Sequence, residues 1–280
     1  MSPEAMNKTM ARSDLATRQG LLAAERLNAL LRDLRAKGLA PSSWLGTLPG
    51  DPAEEALGQG GLTQRLGYEP LPGAEDDLRI PWFLYWEAAW VLRHAEPLLH
   101  PGARVLDGGG AASLFACQLA SLGCQVHAVD INPRLAEHGN AIARAMGWDL
   151  HCHAMNLAEL DFPDNSFEHA FSICVFEHLD HDLKQAALAE IARCLAPGGT
   201  LSLTFDYRNP APGVVGVGKD PRPRNRISSP EDVRRAFLST GRFEVLGNPE
   251  FLDNGESYLV HPAFGNTPYT FGSLFLRRLP

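Results

Sequence analysis

The sequence predicts an α/β protein: a doubly wound, seven-stranded, mainly parallel sheet with a closing antiparallel strand and an N-terminal helical extension. Three observations predict it. From residue 104 onward, short apolar or β-branched runs alternate with helical periodicities, the pattern of successive βαβ units covered on both faces. The first of these runs, Val105-Leu106-Asp107, passes directly into Gly108-Gly109-Gly110 and then a helix. No crossover helix separates the last two runs, so an antiparallel hairpin with a long loop is the economical closure.

Taken in order, Leu15, Leu21, Leu22, Leu27, Leu30, Leu31 and Leu34 recur at mostly helical spacing among charged residues, so residues 12 to 37 read as one amphipathic helix. Pro41 follows its end. From Ala40 to Pro81 the chain is dense in Gly and Pro, with turn signals at Pro49-Gly50-Asp51 and Leu71-Pro72-Gly73, and reads as an irregular connector. Residues 83 to 99 return to a helical pattern with Trp82, Phe83, Tyr85, Trp86 and Trp90, punctuated by Pro101-Gly102. Strands are expected at 104–107, 125–130, 150–154, 167–174, 200–205, 243–246 and 269–277. Helices are expected at 113–122, 133–146, 182–195 and 229–239, the last with Ser229 as N-cap and Pro230 at its first position. The domain reading is residues 1–80 as helix and connector or lid, and residues 81–280 as one α/β domain.

Composition bounds the function. With 45% hydrophobic and 21% charged residues the chain has ordinary globular content, and its formal charge of -8 gives no broad attraction for a polyanion. Nucleic acid is not expected as a partner, although Arg222, Arg224 and Arg226 could line a local basic groove. The five cysteines lack CxxC spacing and sit mostly in apolar runs, which reads as buried, reduced thiols. No apolar run approaches a membrane span and no signal-peptide core is visible, so a cytoplasmic location without membrane association is expected.

The glycine turn carries the chemistry. Glycines there let the backbone approach a ligand closely, as a nucleotide-like cofactor requires. The dinucleotide fingerprint G-x-G-x-x-G competes, but Ser113 stands where its third glycine belongs. Asp107 decides more. At a strand tip it would repel a pyrophosphate by ~4 kcal/mol at about 4 Å and an effective dielectric of ~20, and attract an ammonium or sulfonium centre by as much. Asp130 ends the next strand, followed by Ile131, and a carboxylate there can accept two hydrogen bonds from a ribose diol.

With these residues the chain resembles the class I, Rossmann-like S-adenosylmethionine-dependent methyltransferases, in particular the small-molecule enzymes with a type 11 domain. The resemblance covers roughly Arg104 to Phe205. Asp107-Gly108-Gly109-Gly110-Ala111 matches the acidic, glycine-rich first motif, with Ala111 in place of its last glycine. Asp130 matches the ribose-binding acid. Asn156-Leu157 falls where the family holds the adenine, Cys174-Val175-Phe176-Glu177-His178 matches the end of the fourth strand, and Arg193 to Gly199 matches the turn before the fifth. The resemblance implies S-adenosyl-L-methionine as cofactor and a small-molecule acceptor whose nucleophile is O, N, S or C. Trp82, Tyr85 and Trp86 read most simply as core residues of an amphipathic helix; the resemblance implies the alternative, that an aromatic of an N-terminal helix, Tyr85, contacts the cofactor, where a sulfonium gains cation–π stabilisation.

On the acceptor side, His178, His181 and Asp206 are the candidate bases, histidine being best poised near neutral pH. Helix-start capping and loop solvation is the competing reading for Glu177, His178 and His181. The loops after the fifth and sixth strands, residues 206–226 and 253–258 with His261, are expected to line the acceptor pocket. His151 and His153 share one face of their strand, but the spacing fixes no third ligand, so no metal is expected. A nicotinamide oxidoreductase and a non-catalytic cofactor-binding protein are the alternatives. The N-terminal helix either caps the active site or pairs two subunits.

Overall fold

The computed structural model describes residues 5–11, 13–14, 16–52, 64–65, 79–80, 82–208, 227–260 and 268–280. In chain order these form β1 (Lys8–Thr9), α1 (Arg18–Ala36), β2 (Gln64–Arg65), α2 (Trp82–Ala95), β3 (Arg104–Gly108), α3 (Leu114–Ser121), β4 (Gln125–Asp130), α4 (Pro133–Met146), β5 (Leu150–Ala154) and β6 (Phe167–Ile173). There follow α5 (His181–Cys194), β7 (Leu195–Tyr207), α6 (Pro230–Phe237), β8 (Phe243–Val245), β9 (Leu259–Val260) and β10 (Thr270–Arg278). The α/β class, the parallel strands and the antiparallel closure are as expected. Among the described residues no helix is long and apolar enough to cross a membrane.

The chain divides into two compact units. One comprises Arg12–Leu62 and Glu69–Asn156 and holds α1, α2 and β3 to β5. Its three strands are parallel and in step, Leu106 lying beside His127 and His127 beside His151. Right-handed crossovers that advance in one direction put α3 and α4 on the same face of these strands. Gly139 of α4 marks that face: a Cβ there would lie 2.5 Å from Cys152 Sγ and 2.9 Å from the Ala112 nitrogen, so glycine lets helix and strand close up. In α2, Trp86 and Trp90 are fully buried with parallel rings 6.1 Å apart, and Trp86 Nε1 donates to the buried Asp14 carboxylate at 2.9 Å.

The helix expected from residue 12 begins at Arg18. Thr17 caps it, its hydroxyl accepting from the Gly20 N–H, because a Ser or Thr oxygen satisfies a first-turn donor better than continued helix would. Its buried stripe is Ala23, Ala24, Leu27, Leu30, Leu31 and Leu34, whereas Leu22 is exposed. Leu15 lies outside the described residues.

The other unit comprises Met1–Ala11, Thr63–Tyr68 and Leu157–Pro280. Here β6 and β7 run parallel, while β10 is antiparallel to β7, β8 and β1. The strand expected at 200–205 is longer, Leu195–Tyr207, because Leu195 pairs with Phe167 across a register shift and β10 continues the ladder to Tyr207. Ser229 caps α6 with Pro230 at its first position, as expected. The short β1 is fastened by Asn7, fully buried, whose amide donates to the carbonyls of Leu246 and Asn248 while its oxygen accepts from the Phe275 N–H.

Candidate functional site

In the first unit, β3 delivers Asp107 to its carboxyl end. The side chain is 1% exposed, and among the described residues neither carboxylate oxygen has a hydrogen-bond partner. Burial, and secondarily the charge of Asp130, push its pKa up to about 7. The turn that follows is shaped around this carboxylate. Gly109 takes φ +84° and donates its N–H to the Val129 carbonyl, and a Cβ at Gly110 would fall 1.9 Å from Asp107 Oδ2. Ala111 is buried, and Ala112 carries the left-handed conformation, φ 64°, before Ser113 caps α3. The alanine that replaces the last glycine of the resembled motif is therefore not the residue under backbone strain.

Asp130 ends β4 half-buried. Its Oδ1 accepts from the Asn132 N–H at 2.8 Å, and burial raises its pKa against the two backbone N–H groups that favour ionisation. A carboxylate has further acceptor sites beyond these. Ile131, directly after it, is 78% exposed, an apolar surface beside the acid. The Met155 N–H donates to the Asp130 carbonyl, which ties the segment carrying exposed Asn156 to the tip of β4. This unit thus brings together Asp107, Gly108, Gly109, Gly110, Asp130, Ile131 and Asn156. Tyr85 is 1% exposed within α2, next to Trp86.

The second unit holds Leu157, which is buried, and the residues after β6. Cys174 adopts φ 52°, its N–H donating to the Thr204 carbonyl and hydroxyl of β7, each at 3.2 Å. Val175 leads into a tight turn, Phe176–His178. Glu177 is 1% exposed, and its carboxylate accepts from the Cys174 thiol and the Asp206 backbone N–H, while Oε2 has no partner among the described residues. Burial pushes its pKa up to about 7, and burial pushes Lys184 of α5 down to about 8, the attraction between the two opposing both shifts. The Cys174 thiol, a Glu177 oxygen and an Asp206 oxygen lie within 4.8 Å of one another.

His178 is exposed, yet the protein packed around its ring lowers its pKa, with the Asp206 charge acting in the opposite direction. His181 is the first residue of α5, and the cap is Asp180, which accepts from the Leu183 N–H. The cap of α5 is thus none of Glu177, His178 and His181. Residues 209–226 and His261, with the three arginines considered above, lie outside the described residues. Lys184 was missed by sequence reasoning. Its signal was present, because it occupies the apolar stripe of α5 with Ala187, Leu188 and Ile191, where a lysine belongs only if paired.

The α/β fold thus carries a buried acidic residue at a glycine turn and a second acid on the next strand. Residues 106–203 match the type 11 family model described as "Methyltransferase domain". A ubiquinone biosynthesis O-methyltransferase of Xanthomonas campestris is 32% identical over 119 residues, 42% of this chain and 48% of that protein. An uncharacterized protein of Mycobacterium tuberculosis is 34% identical over 104 residues, 37% of either chain. The chain's match thus spans less than half the length of these curated relatives. Among solved structures, the [4+2]-cyclase SpnF aligns with TM-score 0.54 and 17% identity over 100% of this chain and 99% of its own. A putative sarcosine dimethylglycine methyltransferase from Galdieria sulphuraria aligns with TM-score 0.51 and 15% identity over 73% and 89%. These two likenesses show the fold; activity has to be argued from the site.

Proposed function

We propose that the chain transfers a methyl group from S-adenosyl-L-methionine to a small-molecule acceptor. The observation that carries this reading is Asp107: a buried carboxylate whose two oxygens have no partner among the described residues, at a turn that only glycine at position 110 leaves open. Such a group needs a cation or strong donors to be stable in its ionised form. Asp107 fits the positively charged end of the donor, Gly108 to Gly110 its close backbone approach, and Asp130 the ribose diol. Exposed Ile131 suits an adenine face, and Asn156, through its carbonyl oxygen, suits the exocyclic amine. Leu157, Cys174 and Val175 complete the donor set that the family resemblance assigns, and Tyr85 its aromatic member.

The bound donor supplies an electrophilic methyl group on a sulfonium sulfur. For the protein the remaining work is positioning and, where the acceptor is a hydroxyl, taking a proton. A neutral His178, with Asp206 favouring its protonated form, is suited to that proton, and His181 and Asp206 itself are the other candidate bases within the same unit. The name of the Xanthomonas relative makes an O-acceptor the first to test. Titration calorimetry is expected to show binding of S-adenosylmethionine that Asp130→Ala weakens about a hundredfold, two hydrogen bonds to a charged group contributing ~3 kcal/mol. A folded wild-type protein that does not bind the donor refutes the proposal. Transfer of label to a hydroxylated acceptor, lost in His178→Ala, tests the base.

A further inference from the structure

The reading of His151 and His153 changes once β4 and β5 are paired. Their in-step register sets His127 directly beside His151, on the same face as His153 and opposite the face of Cys152 that α4 covers. Three imidazoles from two strands therefore gather on one side, His151 exposed and the other two half-buried. His127 Nδ1 and His153 Nε2 are 3.0 Å apart and share one hydrogen bond, and the rings of His127 and His151 are centred 5.1 Å apart.

We propose that His127 and His153, with His151 as third ligand, form a site for a divalent transition-metal ion, Cu²⁺ or Ni²⁺. An ion about 2.1 Å from each of two nitrogens 3.0 Å apart subtends about 90°, the angle between adjacent positions of a square or octahedron and narrower than a tetrahedron allows. Imidazole nitrogen is the donor these ions favour, and the ring that donates in the His127–His153 pair gives up that proton to solvent and takes one on its other nitrogen, so that both rings bind the ion as neutral imidazoles. The rings turn about their Cβ–Cγ bonds to aim both lone pairs at it. His151 Nε2 contacts Asp149 Oδ1 at 2.8 Å, which leaves Nδ1 as its lone-pair nitrogen, the outer carboxylate arrangement common to metal-bound histidines, and its exposed ring swings inward to join the other two. Asp149 in turn accepts from the Gln125 amide. Water completes the sphere on this open face.

The test uses full-length protein without a polyhistidine tag, titrated with copper(II) or nickel(II) chloride in a non-chelating buffer at pH 7.5. One equivalent is expected to bind, with nitrogen hyperfine structure from imidazole in the copper electron paramagnetic resonance spectrum. His127→Gln and His153→Gln each remove that signal, and Asp149→Asn weakens binding about tenfold. Circular dichroism confirms that the variants fold. Binding of the same equivalent by the His127→Gln/His153→Gln double variant, or a wild-type copper spectrum without imidazole nitrogen, overturns the site.

Discussion

The protonation state of Asp107 is open to direct measurement. Its pKa, pushed up to about 7 from an ordinary value of about 3.9, corresponds to roughly 4 kcal/mol against ionisation in the folded protein. Between pH ~4 and ~7 the folded state holds a proton that the unfolded state has lost, so stability falls as pH rises through that window. A cationic donor has the opposite preference, since it binds the ionised form. The ionised fraction rises from about a tenth at pH 6 to about nine-tenths at pH 8, and donor affinity should rise about tenfold over the same interval.

Binding at pH 7 should release about half a proton from Asp107, and about 0.9 at pH 6. Calorimetry in two buffers of different ionisation enthalpy counts those protons. Asp107→Asn is the control, because it retains the titration of the donor's own α-amino group while removing that of the carboxyl. It should bind weakly, without the pH slope, and should gain stability over wild type as pH rises from 5 to 8. Equal proton counts and equal affinity in wild type and variant would refute the assignment of Asp107 to the cationic end.

Three further outcomes follow from particular contacts. Gly110→Ala places a Cβ against Asp107 Oδ2, so it should abolish donor binding measured by calorimetry while costing about 1–3 kcal/mol in urea denaturation. Asn7→Ala removes three hydrogen bonds from a fully buried amide and should lower stability by about 2–4 kcal/mol by the same measurement, leaving the donor affinity unchanged. Lys184→Met takes the cation from Glu177; since that carboxyl is protonated at pH 6 and charged at pH 8, the loss of stability should be larger at pH 8, and equal losses at the two values would show that the pair is not coupled.

What the sequence made legible was local. The run from Val105 to Gly110, the strand tips and the cap of α6 are each specified within a few residues, and each is where its pattern put it. What it hid depends on pairing at a distance. His127 meets His151 and His153 only through strand register, 24 and 26 residues away, and Lys184 meets Glu177 across a tight turn. The start of α1 was misread because leucine spacing continues past the residue that caps the helix, and the length of β7 because its ends are held by ladder partners rather than by β-branched side chains.

The burial of charge ties these observations to function. Asp107 in one unit, and Glu177 with Lys184 in the other, are all displaced toward neutrality by the same cause, removal from water. A chain selected for stability alone gains by replacing such groups with apolar ones of similar volume. Here the two acids stand at or just beyond the carboxyl ends of parallel strands, the place where open α/β sheets bind their ligands. Each leaves oxygen without a partner among the described residues. The folded protein alone therefore bears a penalty that a ligand can relieve, and the pH dependence of donor binding measures how much of the Asp107 share it does relieve.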